Sequence, residues 1–325
     1  MSTTENDNAL DATIEYAASV LGDLAERNVS LAALTTYRVG GAAAIIVRPR
    51  NLADLEKLAE TLAATDMAVL VVGRGSNLLV ADKGFAGIAV SLAEMSAEFQ
   101  VDGTQVVAGA MVALPQLARR LVAAGLGGFE WAVGVPGSIG GAVRMNAGGH
   151  GGDMAACLVE VDLFDLRTKR HGWVAAERLG LRFRGSDLAD HQVVIAARLQ
   201  LAAADRDQSQ RELDDIVRWR RERQPGGQNA GSVFVNPIPG ELAAGELIDR
   251  IGLRGLTLGT ASVSDKHANF IQASEGGRAD DVRALIELVR DRVAAETGFV
   301  LRSEVRLVGF DDVAERAGVN AGVQW

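Results

Sequence analysis

A chain of 325 residues is long enough for two domains, each able to bury a core of its own. With 48% hydrophobic and 23% charged residues, its composition is that of an ordinary globular protein. A net charge of −9 argues against a general nucleic-acid binder, because little would offset phosphate repulsion, but a few arginines could still hold a small anion.

The lone cysteine, Cys157, excludes an intrachain disulfide framework and suits a reducing compartment. The N-terminal MSTTENDNAL lacks the basic and apolar stretches of a signal peptide. No apolar run nears the roughly 18 residues of a membrane span. A cytoplasmic monomer without membrane or nucleic-acid partners is expected.

In chain order, Asp11 to Arg27 reads as an opening helix, followed by the turn-rich TTYRVGG. A strand (Ala43 to Val47), a helix (Leu52 to Ala64) and a second strand (Met67 to Val72) come next. Glycine-broken β-like runs lead to a helix from Leu114 to Ala124, a glycine-dense passage to Gly152, and strands at Leu158 to Phe164 and Val193 to Leu201. The charged segment Ala204 to Gln224 reads as a helix ending at Pro225, with Leu213, Ile216 and Val217 on one face. Helical spacing of Val282, Leu285, Ile286, Val289 and Val293 predicts a helix over Ala279 to Glu296, with Asp280 and Asp281 at its positive end and Gly298 as its stop. A last strand, Glu304 to Val308, is expected to close the second domain. Short strands and helices without regular βαβ units indicate an α+β protein. The expected division is 11–205, 206–309 and a C-terminal tail, 310–325.

Two glycine loops carry the strongest chemical signal. VVGRGSN (Val71 to Asn77) resembles a dinucleotide fingerprint but lacks its third glycine, and LLVAD follows where a helix should begin. A strand ending in Gly-X-Gly-Ser-Asn can still wrap a pyrophosphate with backbone donors, or be a plain turn. GVPGSIGGAVRMNAGGHGG places eight glycines between Gly134 and Gly152, more than tight turns need. That density favours backbone folded closely on a flat or phosphorylated ligand. No Walker A lysine is present, so NTP hydrolysis is not indicated.

With LTTYRVGGAA (Leu34 to Ala43) before them, these loops resemble the flavin-binding half of the UDP-N-acetylenolpyruvoylglucosamine reductase family, and the likeness runs on to Gly309. The resemblance implies noncovalent FAD on a fold of the vanillyl-alcohol-oxidase type, plus a smaller C-terminal α+β substrate-binding domain. It places the FAD pyrophosphate near Gly73, Gly75, Ser76, Asn77 and Leu78. The ring and ribityl chain would lie along Gly134, Pro136, Gly137, Ser138, Gly140, Gly141, Ala142 and Asn146, with Arg38 as a further cofactor residue.

Arg184 in LRFRGSD, Ser232 in NAGSVFVNP and Glu304 in LRSEVRL each have a bland reading: a surface charge, a turn cap, a solvated strand edge. The resemblance makes them catalytic, and implies reduction of the enolpyruvyl ether of UDP-N-acetylglucosamine with NADPH as co-substrate, in peptidoglycan synthesis. In that reading Arg184 and Glu304 stabilise the charge left by hydride addition, and Ser232 supplies a proton. Arg221 in WRRERQP, Asn236, and Lys266 and His267 in SVSDKHANFI are the implied substrate contacts. A nucleophile elbow is missing around Ser232, and His150, His171, His191 and His267 are not spaced as metal ligands, so neither a hydrolase nor a metal site is expected. Departures from the family pattern are Phe183 for a common tyrosine, Val235 for a frequent lysine, and Arg144 and His150 for residues that are commonly aromatic. The family subtype without a tyrosine-bearing insertion fits better. A flavin oxidase on the same fold and a non-catalytic flavin-binding paralogue are the competing readings.

Overall fold

The computed structural model describes residues 3–311 and 322–323; of the expected tail, residues 312–321, 324 and 325 lie outside the described residues. The first lobe comprises α1 (Thr3–Leu21), β1 (Ala25–Ser30), β2 (Ala42–Val47), α2 (Leu52–Thr65), β3 (Val69–Val71), β4 (Leu78–Val80) and β5 (Phe85–Val90). Gly22, at φ +58°, stops α1 well before Arg27, which instead sits in strand β1; the expected helix end was therefore wrong. Helix α2 begins where the Asn51 side chain accepts the Asp54 N–H, and it ends on Asp66 in a left-handed conformation. The sheet order is β1-β2-β5-β3, with β2, β5 and β3 parallel and α2 linking β2 to β3. Parallel neighbours need such a crossover.

The second lobe holds β6 (Phe99–Asp102), β7 (Gln105–Gly109), α3 (Leu114–Ala123), β8 (Leu126–Gly127), α4 (Ile139–Met145), β9 (Gly148–Gly149), β10 (Gly152–Asp153), β11 (Leu158–Asp165), β12 (His171–Ala175), β13 (Gln192–Gln200) and β14 (Ala202–Ala203). Its five-stranded antiparallel sheet runs β12-β11-β13-β7-β6. Helix α4 lies inside the glycine-dense passage, where periodicity gave no helix. The Gly140 N–H bonds the Ala110 carbonyl, and a Cβ at Gly140 would meet the Ala110 Cβ at 3.0 Å, so glycine here lets the helix sit against the strand end.

The remaining elements are α5 (Arg206–Arg223), α6 (Ala244–Arg250), β15 (Thr257–Leu258), β16 (Ala261–Val263), β17 (Ile271–Ala273), α7 (Ala279–Thr297) and β18 (Arg306–Val308). Helix α7 buries Val282, Leu285, Ile286, Val289 and Val293, the face set by its spacing, and ends at Gly298 with φ +77°. Two expectations about this half change. Helix α5 buries Leu213 and Ile216 in the core of the second lobe, packing on α3 and on the turn at Glu130–Gly134. Strand β18 does not close a separate sheet: it pairs in parallel with β4 of the first lobe. Tyr37, Val39 and Leu79 in turn enter the C-terminal core, so the halves interlock. Among the described residues, no helix is long and apolar enough to cross a membrane.

Candidate active site

The three segments that carry the glycine motifs meet. A Cβ on Gly73 would lie 2.6 Å from Ser138 Oγ, and one on Gly75 (φ +58°) would lie 2.0 Å from the Leu34 carbonyl oxygen. Thr36 N–H donates to the Gly75 carbonyl at 3.2 Å. Any side chain at Gly75 would push the Gly73–Leu78 loop off the Thr35–Gly41 segment. Between the two loops and the C-terminal half is a cavity of about 260 Å³. Gly73, Gly75, Ser76, Asn77, Leu78, Pro136, Gly137, Ser138, Gly141 and Ala142 line it.

Arg184, Ser232 and Glu304, though far apart in sequence, line the same cavity. Arg184 has a left-handed backbone (φ +56°), its guanidinium lies 4.8 Å from the exposed Phe183 ring, and its Nε donates to Glu304 Oε2 at 3.3 Å. Asn146, expected on the cofactor, donates instead to Asp153 and to the Arg182 carbonyl, and accepts the Ala155 N–H. It fixes the turn that aims Arg184. Glu304 is held by its N–H on the Val233 carbonyl (2.7 Å), by the Asn77 side-chain amide on its carbonyl (2.9 Å), and by Val235 N–H on Arg302 O in the same pairing. That pairing brings Ser232 beside the 302–304 segment. Burial pushes the Glu304 carboxyl above the usual carboxylate range, even though Arg184 and Arg302 pull it down. A raised pKa favours the protonated form, which can donate toward developing negative charge.

Not every expected residue reaches the cavity. Arg38 is exposed, and Gly134 packs against Ile216 and Arg220 of α5. Arg221 is exposed, and its carbonyl accepts from Lys266 Nζ. Asn236 accepts the first N–H of α6, from Ala244, at 3.1 Å. His267 sits in a packed turn: its Nδ1 accepts the Asn269 N–H, its ring lies 4.9 Å from Phe270, and burial lowers its pKa. His150 lies edge-on to Trp219 and lines a separate cavity of about 780 Å³ with Trp131 and Glu130.

Other cavity residues had gone unmarked. Arg220 and Gln224, one helical turn apart at the end of α5, both line it, and burial lowers the Arg220 pKa. Their i, i+4 spacing was a usable signal. Arg306, the first residue of β18 and two positions after Glu304, lines the cavity as well. Arg144 and Arg306 share Asp190: Arg306 Nη2 lies 2.8 Å from Asp190 Oδ2, and Arg144 pairs with Asp190 Oδ1. Burial and the nearby Arg306 bring the Arg144 pKa down to about 10, against the pull of Asp190.

Comparison with known proteins fits this arrangement. A family model for an FAD binding domain matches residues 43–169, and one for the UDP-N-acetylenolpyruvoylglucosamine reductase C-terminal domain matches residues 223–308. The reductase of Heliobacterium modesticaldum is 42% identical over 85% of this chain and 88% of its own length. The chain belongs to the UDP-N-acetylenolpyruvoylglucosamine reductase family. The reductase of Gloeobacter violaceus is 40% identical over 88% of this chain and 97% of its own. A solved structure of the reductase from Thermus caldophilus superposes with a TM-score of 0.75 at 34% identity, covering 87% of this chain and 98% of that one.

The residues present suit FAD, the cofactor of this reductase fold. Ser138 Oγ and Gln224 Oε1 are buried cavity-lining atoms with no hydrogen-bond partner among the described residues. Buried polar atoms normally find partners, so these two await a polar ligand. Among the described residues, no group of three His, Cys, Asp or Glu is arranged to hold a metal ion.

Proposed function

We propose that this chain catalyses the NADPH-dependent reduction, through FAD, of the enolpyruvyl ether of UDP-N-acetylglucosamine to the lactyl ether UDP-N-acetylmuramate, a step in peptidoglycan precursor synthesis. The observation that carries this reading is the Arg184–Glu304 pair on one side of the cavity that the two glycine loops line on the other. When bound, FAD supplies the hydride that NADPH has delivered.

The rest is the work of this chain's own residues. Hydride addition to the terminal methylene carbon of the enol ether moves an electron pair toward the α-carbon and its carboxylate. The Arg184 guanidinium, always charged, stabilises that pair, and Glu304, whose protonated form burial favours, can donate a hydrogen bond to it. Ser232 Oγ then gives its proton to the α-carbon and regains one from solvent. A hydroxyl is a weak acid, so this transfer needs a strongly basic carbon and a closed site. Arg144, Arg220 and Arg306 add positive charge around the same cavity, where phosphates and a carboxylate must be held. In this reading Arg220, not the exposed Arg221, is the ligand-facing arginine of its segment.

We assign residues 11–205 to flavin binding and 206–309 to the substrate side, with α5 anchored on the flavin half. The single cysteine supports a reducing, cytoplasmic compartment. The test is anaerobic. The purified protein should be yellow, be bleached by NADPH, and regain its colour rapidly on adding the enolpyruvyl nucleotide. Recovery of colour with oxygen alone, or a colourless protein, overturns the reading.

A further inference from the structure

The described end of the chain returns to the cavity from behind. Gln192 is 3% exposed. Its Oε1 accepts the Val323 N–H at 2.7 Å, and its Nε2 donates to the Val323 carbonyl at 2.9 Å. One side-chain amide thus completes both backbone bonds of a single residue, as a neighbouring β-strand would. The Val323 side chain is buried in the largest core cluster. Gly322, at φ +95°, fits because a Cβ there would lie 3.2 Å from Gln192 Oε1. An extended residue is held here by main chain and side chain together.

The same carboxamide also organises the loop beside it. Gln192 Oε1 accepts the Ala189 N–H at 3.2 Å, and Nε2 also donates to Asp165 Oδ2 at 3.1 Å. Ala189 O accepts from Arg144 Nη1 at 3.1 Å, and the next residue, Asp190, pairs with both Arg144 and Arg306. Both arginines line the cavity. Arg306 belongs to β18, the strand from which the chain runs on to residue 323. The terminal residues therefore leave from one partner of Asp190 and dock two positions from Asp190 itself. Without them, the Gln192 amide would lose one acceptor and one donor in a buried place, and the loop would relax to find others.

We infer that docking of Gly322–Val323 on Gln192 positions Asp190 and, through it, sets the two arginines of the cavity wall. Gln192 and Val323 are positioning residues; neither lines the cavity. The inference rests on the proposed function only for what the arginines bind, so its test includes measurements that need no turnover.

Three chains are compared: full length, a deletion of residues 322–325, and Val323→Ile as the conservative control. Amide hydrogen exchange at residues 189–192, FAD affinity, KM, kcat and Tm are measured on each. The expected result for the deletion is faster exchange at 189–192, with KM for the nucleotide or Kd for FAD raised about fivefold and kcat changed less, a size typical of coupled sites. Val323→Ile should match the full chain. If the deletion does not fold, Val323→Ala, which keeps the backbone bonds, should give the same shifts to a smaller extent. Unchanged exchange at 189–192 overturns the inference. So does a lower Tm with KM and FAD affinity unchanged, since the terminal residues would then only stabilise. If the full chain shows no turnover, the proposed function fails, while exchange and FAD affinity still decide this point.

Discussion

One wall of the cavity comes from two glycine loops, the other from side chains of Arg184, Ser232, Glu304, Arg306 and Arg220. The loop wall is mostly backbone, and its geometry follows from where a Cβ cannot fit: Gly73 against Ser138, Gly75 against Leu34. The opposite wall is side-chain chemistry, and its charged groups are held by partners distant in sequence. Asn146 ties the turn before Arg184, Asn77 holds the Glu304 carbonyl, and Asp190 pairs Arg306. A ligand can be cradled by local sequence, but charges must be aimed by distant partners. The two walls should accordingly fail in different ways when altered.

The sharpest separation comes from Ser232→Ala. It should leave reduction by NADPH nearly intact yet slow product formation by about 10³-fold, within the range for a lost general acid. Stopped-flow measurement of the two half-reactions decides it, and equal loss in both without misfolding contradicts the role given to Ser232.

Glu304→Gln should cost less, about 10²-fold in product formation, comparable with removing one donor to a developing anion. Its pH dependence is the more telling readout. Because the folded-state pKa is raised, the stability linked to this carboxyl is full below its unfolded value and is lost as pH rises through the folded value. Glu304→Gln removes that loss, so its Tm relative to the parent should climb with pH across the window. The alkaline limb of the rate that depends on protonated Glu304 should disappear with it. A Tm difference that is flat with pH contradicts a raised carboxyl.

Gly75→Ala tests the loop wall. A Cβ would meet the Leu34 carbonyl in a left-handed backbone, a strain worth about 1–3 kcal/mol. Thermal melting should show that loss, and FAD content on purification should fall with it. If NADPH reduction per bound FAD also collapses, the two walls are less separable than this comparison holds.

Local elements were largely legible because their signals are local. The spacing in α7, the start of α2 at Leu52 and the strand–loop–strand around VVGRGSN all appear where the residues put them. Errors came where a single residue or a distant partner decided. Gly22 cut α1 short, and α4 hid among glycines, one of which, Gly140, packs closely on Ala110. β18 found its partner in β4, a pairing no periodicity within Glu304–Val308 could reveal. In the site, Arg220 was recoverable from the Arg220–Gln224 spacing, whereas a bend at Val305 separates Arg306 from Glu304. Arg144 was visible only as a departure, because its use depends on Asp190 and Arg306 arriving from elsewhere.

The sequence by itself determined the two glycine loops, the helices with periodic faces, and the identity of the three residues that a family pattern marks as reactive. These depend on backbone freedom and on side chains within a few positions of one another. Only the tertiary structure decided that α5 packs with the flavin half, that Arg220 faces the cavity while Arg221 faces solvent, and that burial raises the Glu304 pKa. Burial and electrostatic environment are properties of groups brought together from far along the chain, so no local pattern could have fixed them.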